Sequence, residues 1–289
     1  MKIRAPAKIN LFLRVVGRRK DGYHLLDTIL VPISLYDEIE IRKLKGDRRR
    51  GRPSAPSITA TCDGQRIPAG RKNIAFRAAD LIMKAADINQ RVSLHIQKNI
   101  PVGAGLGGGS SDAAAVLLAL SRLFRLGYSL RKLEKMALLL GADVPFFIRG
   151  RPARARGIGE RLTPLPKFRR FWLVILYPGF PVSTAWVYRK LPPKLTKHKV
   201  NTSIIRSLRS FAETRETLVN DLETVTIGKY PRIGSLKGRL LREGASASLM
   251  SGSGSSVFGI FANRRNAFSA FERLKKEKGV QAFLAQVVN

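Results

Sequence analysis

The sequence predicts an α+β chain of two domains, and three observations carry that expectation. Its length of 289 residues suits two cores of ordinary size. Stretches of period-two alternation and stretches of helical periodicity are mixed along it without strict strand–helix alternation, which disfavours a doubly wound parallel sheet. A Pro- and Arg-rich stretch at 162–170 precedes a continuously apolar run at 171–177, so the expected domains are 1–165 and 166–289.

The elements follow in order. Residues 8–16 alternate, with Ile9, Leu11, Leu13 and Val15 on one face, and read as a strand. Residues 25–34 and 38–42 read as two more. At 42–56 the pattern breaks. Seven basic residues fall between Arg42 and Arg52, with Gly46, Gly51, Pro53 and Pro56 among and after them, and the segment reads as an exposed loop or hairpin tip. Asn73 is placed to cap a helix reaching about residue 86, with Ile74, Ala78, Leu81, Ile82 and Ala85 as its inner stripe. Residues 91–98 alternate through Val92, Leu94 and Ile96, which leaves His95 on the opposite face as a structural or exposed side chain. Helices are expected at 110–124 and 129–140, the second ended by Gly141. In the second half, 171–177 reads as a strand buried on both faces. Helices at 183–191, 202–213 and 233–242, strands at 245–250 and 255–262, a helix at 264–278 and a strand at 282–288 complete the series.

Composition narrows the class. Hydrophobic residues make up 44% and charged residues 25%, a globular balance. The single cysteine, Cys62, excludes an internal disulfide framework and a Cys-rich metal site. The longest apolar runs, 113–120 and 171–177, fall far short of the ~20 residues of a membrane-spanning helix. The opening MKIRAPAKIN carries neither an apolar signal core nor a transit-like stretch, so a cytoplasmic chain with no membrane partner is expected. The charge is unusual: 53 Lys and Arg against 20 Asp and Glu, a net +33. Such a field suits a polyphosphate substrate, and makes nucleic acid a nonspecific electrostatic partner.

The densest motif runs from Pro101 to Ser111, PVGAGLGGGSS, and is followed by Asp112. Five glycines between Gly103 and Gly109 preclude a regular element there, and let the backbone bring bare N–H groups close to a ligand. The helix that starts at Ser110 adds its unpaired amides and positive dipole end. Strand, glycine loop and helix together make a phosphate cradle. The loop formally satisfies GxGxxG, but no acidic residue follows near twenty positions on, Glu134 being the nearest. It lacks the Gly-Lys-Ser/Thr of a Walker A loop and the lysine strand and Asp-Phe-Gly of protein kinases.

Other segments stand out. Lys8 and Asn10 share a strand face, where a lysine is a poor core choice. Asp21-Gly-Tyr23-His24 is a turn carrying an aromatic ring and an imidazole. Asp143, in Gly141-Ala-Asp-Val-Pro-Phe, follows a helix end and is expected either to cap a neighbour or to do chemistry. Residues 251–256, SGSGSS, form a second glycine turn between two strands.

The loop resembles that of the GHMP kinases, Pro-x-Gly-x-Gly-Leu-Gly-Ser/Gly-Ser-Ser. Within that superfamily the chain is similar to the diphosphocytidyl-methylerythritol kinases. The matching segments are Pro-Ala-Lys-Ile-Asn-Leu at 6–11, Asp-Gly-Tyr-His at 21–24 and Gly-Ala-Asp-Val-Pro-Phe at 141–146. Asn-Asp-Leu-Glu at 220–223 and Met-Ser-Gly-Ser-Gly-Ser-Ser-Val-Phe at 250–258 complete them. The basic run and the +33 charge are atypical of that group. The resemblance implies a two-domain α+β GHMP kinase fold, with a ribosomal-S5-domain-2-like N-terminal domain and a ferredoxin-like C-terminal domain. It implies phosphoryl transfer from ATP with Mg2+ to a small molecule, a cytidine diphosphate-linked methylerythritol, by a monomer or homodimer. Another GHMP kinase, of homoserine or mevalonate type, and a basic nucleic-acid-binding module of S5 type are the competing readings.

The same resemblance implies the roles. Asp143 would orient or deprotonate the acceptor hydroxyl, Lys8 would hold Asp143 ionised, and Asn10 would orient the acceptor. Pro101, Val102, Gly103, Ala104, Gly105, Leu106, Gly107, Gly108, Gly109, Ser110 and Ser111 would wrap the ATP phosphates. One of the two serines would touch Mg2+, and which one is open. Asn73 and Lys98 align with adenosine contacts. Tyr23 and His24 match the cytosine end, and Thr184 lies in the segment that supplies Tyr188 as a stacking ring, with Trp186 as the alternative.

Overall fold

The computed structural model describes residues 1–44, 58–65, 67–165, 170–192 and 218–288. The helix expected at 202–213 and most of the basic run at 42–56 lie outside these residues, as does part of the expected boundary at 162–170. The chain gathers into two compact units, each built from separated segments. The first comprises Met1–Ala7, Tyr36–Val102 and Gly107–Gly150, the second Lys8–Leu35, Gly103–Leu106 and Arg151–Asn289.

Two long strands open the chain, β1 (Lys2–Arg18) and β2 (His24–Lys43). The two strands expected at 25–34 and 38–42 are one continuous element. β1 is buried without interruption from Ala7 to Leu13. The alternation of 8–16 therefore marks a strand covered on both faces, and Lys8 and Asn10 are 4% and 3% exposed rather than solvated.

In the first unit, β2 pairs antiparallel with β4 (Val92–Gln97), and β4 pairs parallel with β3 (Ile58–Asp63). Helix α1 (Ile74–Ala85) begins where the Asn73 side chain accepts from the amides of Ala75 and Phe76. Its buried face is Ala75, Ala78, Ala79, Ile82 and Met83, rotated from the expected stripe toward the small alanines. Those alanines let it pack closely along α2 (Gly108–Leu123), itself alanine-rich on its buried side. Helix α3 (Leu130–Leu138) starts on a Ser129 cap, and the short α4 (Val144–Arg149) packs on both α2 and α3. His95 lies where its strand face was expected to put it, its Nδ1 3.1 Å from the Thr61 hydroxyl.

In the second unit, β1 pairs parallel with β8 (Val219–Asn220), and β2 pairs with β5 (Ala153–Gly157), which forms a hairpin with β6 (Arg161–Pro164). The hairpin went unpredicted: its first strand shows no alternation of large apolar residues, and most of its second falls in the Pro- and Arg-rich stretch expected as the boundary. A separate antiparallel sheet has the order β11-β7-β10-β9, from β7 (Trp172–Tyr177), β9 (Ala247–Met250), β10 (Val257–Phe261) and β11 (Gln281–Gln286). β7 is paired on both edges, which is why its sequence is apolar throughout. Helices α7 (Pro231–Arg242) and α8 (Arg264–Leu274) pack on this sheet. Strand order and helix placement give the split-βαβ pattern expected of a ferredoxin-like domain. Helices α5 (Thr184–Arg189) and α6 (Glu223–Lys229) complete the unit, over a core that includes Leu13, Val15, Leu222, Leu236 and Phe261.

Candidate active site

The glycine loop is fixed through its carbonyl oxygens. Those of Gly103, Ala104 and Leu106 accept from the amides of Val182, Ser256 and Lys8, at 3.0, 3.1 and 2.9 Å. The Gly105 oxygen accepts from Lys8 Nζ at 2.9 Å and Ser251 Oγ at 3.0 Å. Among the described residues, the amides of these four meet no acceptor. A run of backbone N–H groups without a protein acceptor is what an anion-binding loop requires. Positive φ angles at Gly103 (+67°) and Gly105 (+79°) make this turn, and a Cβ on Gly105 would collide with the Ser251 carbonyl oxygen. The second glycine turn, 251–256, is thus the support of the first rather than an isolated hairpin. Asn220 holds that support, donating through Nδ2 to the carbonyls of Met250 (2.8 Å) and Gly252 (2.7 Å).

Lys8 is oriented by Asn10 as well as by Gly105. Its Nζ donates to Asn10 Oδ1 at 2.7 Å, and Asn10 Nδ2 donates to Thr28 Oγ1 at 2.8 Å. Thr28 in turn donates to the Phe12 carbonyl at 2.6 Å. Thr28 is a link that sequence reasoning missed, since nothing in the pattern of β2 marks it. Asp27, beside it, is paired with Arg154 of the unpredicted hairpin, its Oδ1 2.7 Å from the arginine Nε.

The expected nucleobase-binding residues come together in part. His24 and Tyr188 stack with ring centroids 5.3 Å apart and planes 25° from parallel. Burial and the nearby Arg18 charge lower the His24 pKa from its ordinary 6.5, so its ring is neutral at pH 7. Tyr23 is 61% exposed at the tip of the turn. Thr184 opens α5, its hydroxyl 2.8 Å from that of Ser253. Trp186, the alternative to Tyr188, instead meets Tyr230 edge-on at 6.2 Å, under the Lys229 ammonium at 4.4 Å from its ring.

In the first unit, α2 begins two residues earlier than expected, at Gly108, with Gly107 (φ +72°) turning the chain into it. Ser111 is 1% exposed, and its Oγ has no hydrogen-bond partner among the described residues. An orphaned hydroxyl in the first turn of a helix suits a phosphate oxygen or a phosphate-bound cation. Ser110 is half-buried beside it, Pro101 is buried and Val102 is 38% exposed. Asp143 is half-buried at the start of α4, and its side chain does not cap that helix. Asn73 is committed to capping α1.

Lys98 is drawn to two carboxylates. Its ammonium, 4% exposed, pairs with Asp37 and lies 2.8 Å from Asp112 Oδ2. Asp37 also accepts the amides of Asn99 (2.7 Å) and Ile100 (2.8 Å). Burial opposes the lysine charge, but the two carboxylates outweigh it and raise the Lys98 pKa. Burial pushes Asp112 up to about 7, Lys98 pulling against that shift and Asp37 adding to it. Gly108 leaves room for this triad at the start of α2, since a Cβ there would be 2.8 Å from Lys98 Nζ. Asp112 was not singled out in the sequence, although it directly follows the SerSer of the loop.

Among the described residues, no group of three or more His, Cys, Asp or Glu is placed to hold a metal ion. No helix among them is long and apolar enough to cross a membrane.

Comparison with known proteins shows the family. The family models "GHMP kinases N terminal domain" and "GHMP kinases C terminal" match residues 73–151 and 198–281. A protein of Syntrophotalea carbinolica named 4-diphosphocytidyl-2-C-methyl-D-erythritol kinase is 46% identical over 99% of this chain and 98% of its own length. One of the same name from Citrifermentans bemidjiense is 46% identical over 96% of each. A crystal structure of 4-(cytidine 5'-diphospho)-2C-methyl-D-erythritol kinase superposes with a TM-score of 0.85 at 37% identity, covering all of both chains. Homoserine kinase from Cytophaga hutchinsonii gives 0.75 at 18% identity, a likeness of fold alone.

Proposed function

Because the chain belongs to the 4-diphosphocytidyl-2-C-methyl-D-erythritol kinase family of GHMP kinases, we propose that it transfers the γ-phosphoryl group of ATP to the 2-hydroxyl of 4-diphosphocytidyl-2-C-methyl-D-erythritol. The products are the 2-phosphate and ADP, formed in the cytoplasm in the non-mevalonate route to isoprenoid precursors. The observation that carries the ATP side is the loop 103–106, with every carbonyl engaged by the protein and every amide left for a ligand. Phosphoryl transfer asks chiefly for positioning and charge neutralisation, which such a loop supplies.

In this reading Asp143 accepts the proton of the 2-hydroxyl as its oxygen attacks the γ-phosphorus and ADP departs. Lys8, held by Asn10 and the Gly105 carbonyl, supplies a fixed positive charge beside the phosphate loop. Asn10 has its own amide anchored to Thr28, so both donors keep their aim without a ligand. The amides of 103–109, with Ser110 and Ser111, bind the ATP phosphates. Ser111, with its orphaned hydroxyl, is the better-placed of the two serines for Mg2+, which would neutralise phosphate charge. Lys98 acts through the loop: its two carboxylate partners fix the floor of α2.

The neutral His24 ring offers one donor and one acceptor to the edge of cytosine, and Tyr188 offers a stacking face, with Tyr23 and Thr184 beside them in this role. Steady-state kinetics of Tyr188→Ala test this. We expect KM for the cytidylylated acceptor to rise at least tenfold while KM for ATP stays within twofold, since one stacked base contributes about 1–3 kcal/mol. Equal acceptor KM in variant and native chain would remove Tyr188 from the substrate site.

A further inference from the structure

A cationic cleft in the second unit shares no residue with the glycine loop. Along α7, Arg232, Ser235, Leu236, Arg239 and Arg242 recur on one helix face, and with Arg273, Lys276 and Glu277 they line a cleft of about 480 Å³. That is the size of a small-molecule site. Arg273 is in the last turn of α8, and Lys276 and Glu277 are in the turn that follows it.

The cleft is held open by a few definite contacts. Glu243, just past α7, takes Arg273 Nε on one carboxylate oxygen at 2.5 Å, and lies 3.7 Å from Arg239 Nε on the other. Arg273 also donates to Ser269 Oγ at 2.7 Å. At the far end Arg232 donates to the carbonyls of Lys278 and Gly279, both at 3.0 Å. Three guanidinium planes are therefore oriented before any ligand arrives. Arg242 and Lys276 have no carboxylate partner among the described residues. Five cations face two carboxylates, Glu243 and Glu277, and the excess of three positive charges is focused in one concavity.

From this we infer that the α7–α8 cleft is a second ligand site, for an organic diphosphate. Oriented guanidinium forks bind phosphate oxygens in pairs, and an adjacent phosphate pair carries the charge needed to neutralise the excess. Among the described residues, a buried Leu236 side chain is the one apolar lining residue, so the cleft recognises the phosphates rather than a large apolar body. Among the described residues, no aromatic side chain lines the cleft. The cleft thus lacks the stacking platform that single-stranded nucleic acid uses.

Calorimetric titration of the full chain with inorganic pyrophosphate, at saturating ADP so that the phosphate loop is filled, tests the site. The comparison is with the Arg242→Gln/Lys276→Gln double variant, which removes the two unpaired cations and spares the Glu243 tie. One equivalent of pyrophosphate should bind the native chain, at least tenfold more weakly in the variant, with ADP affinity, kcat and melting temperature unchanged. No binding to the ADP-saturated native chain, or equal affinity in the variant, would overturn the site. So would loss of binding of a single-stranded RNA oligonucleotide in the variant without any pyrophosphate binding, since that result would make the cleft part of a nucleic-acid track.

Discussion

At the scale of single residues, the start of α2 lies against a buried triad of charged side chains. Lys98, Asp37 and Asp112 are all below 5% exposed, and two carboxylates beside one ammonium leave one negative charge in excess. Asp112 relieves it by keeping a proton up to about pH 7, against an ordinary value of 3.8. The sign of the linkage follows. Between about pH 4 and 7 the folded chain holds a proton that the unfolded chain has released, so this group's contribution to stability falls as pH rises through that window. Urea denaturation from pH 4.5 to 7.5 should accordingly show Asp112→Asn with a flatter profile than the native chain, its relative stability improving toward the alkaline end. Parallel profiles would mean that Asp112 is ionised throughout. No sequence pattern announces this triad, because its two carboxylates are 14 and 61 residues from Lys98. Lys8 and Asn10 were legible as anomalies in a strand. The fact that settles their place, burial on both faces of β1, depends on what covers the strand.

At the scale of elements, two glycines of one loop do different work. Gly105 is a folding residue. Its φ is +79°, and a Cβ would run into the Ser251 carbonyl, so Gly105→Ala should destabilise the protein by about 2 kcal/mol or more. Gly109 is exposed, and its nearest Cβ neighbour would be Ile74 Cγ2 at 3.4 Å. Gly109→Ala should therefore fold normally, within about 1 kcal/mol of native. A rise of about tenfold in KM for ATP in that stable variant would show that the missing Cβ leaves room for phosphate. An unchanged KM would give Gly109 to the helix alone. The loop itself was readable because five glycines next to a helix start have few other uses. The dependence of the first glycine turn on the second was not, since 251–256 lies some 150 residues away and reads locally as a hairpin. The β5–β6 hairpin was missed for a related reason. Its first strand shows no alternation of large apolar residues, most of its second falls in the stretch expected as the boundary, and Arg154 is kept there by its pairing with Asp27.

At the scale of the whole molecule, segments far apart in sequence make each compact unit, with residues 8–35 grouped with 151–289 rather than with their neighbours. Local periodicity reports which residues are covered, not by what, so the elements were legible and their grouping was not. The +33 charge acquires a local meaning in the α7–α8 cleft, where cations outnumber the carboxylates that hold them. It leaves the assignment of chemistry to the loop, to Lys8 and to Asp143. The central claim is that this chain phosphorylates one nucleotide-linked alcohol. Its most direct test is ADP release from ATP-Mg2+ with 4-diphosphocytidyl-2-C-methyl-D-erythritol, methylerythritol phosphate, homoserine and mevalonate as rival acceptors, for the native chain and for Asp143→Asn. Turnover with the cytidylylated acceptor alone, falling by about 10²–10⁴ in the variant, is the expected result. Turnover with homoserine or mevalonate, or no turnover with any of the four, would contradict it.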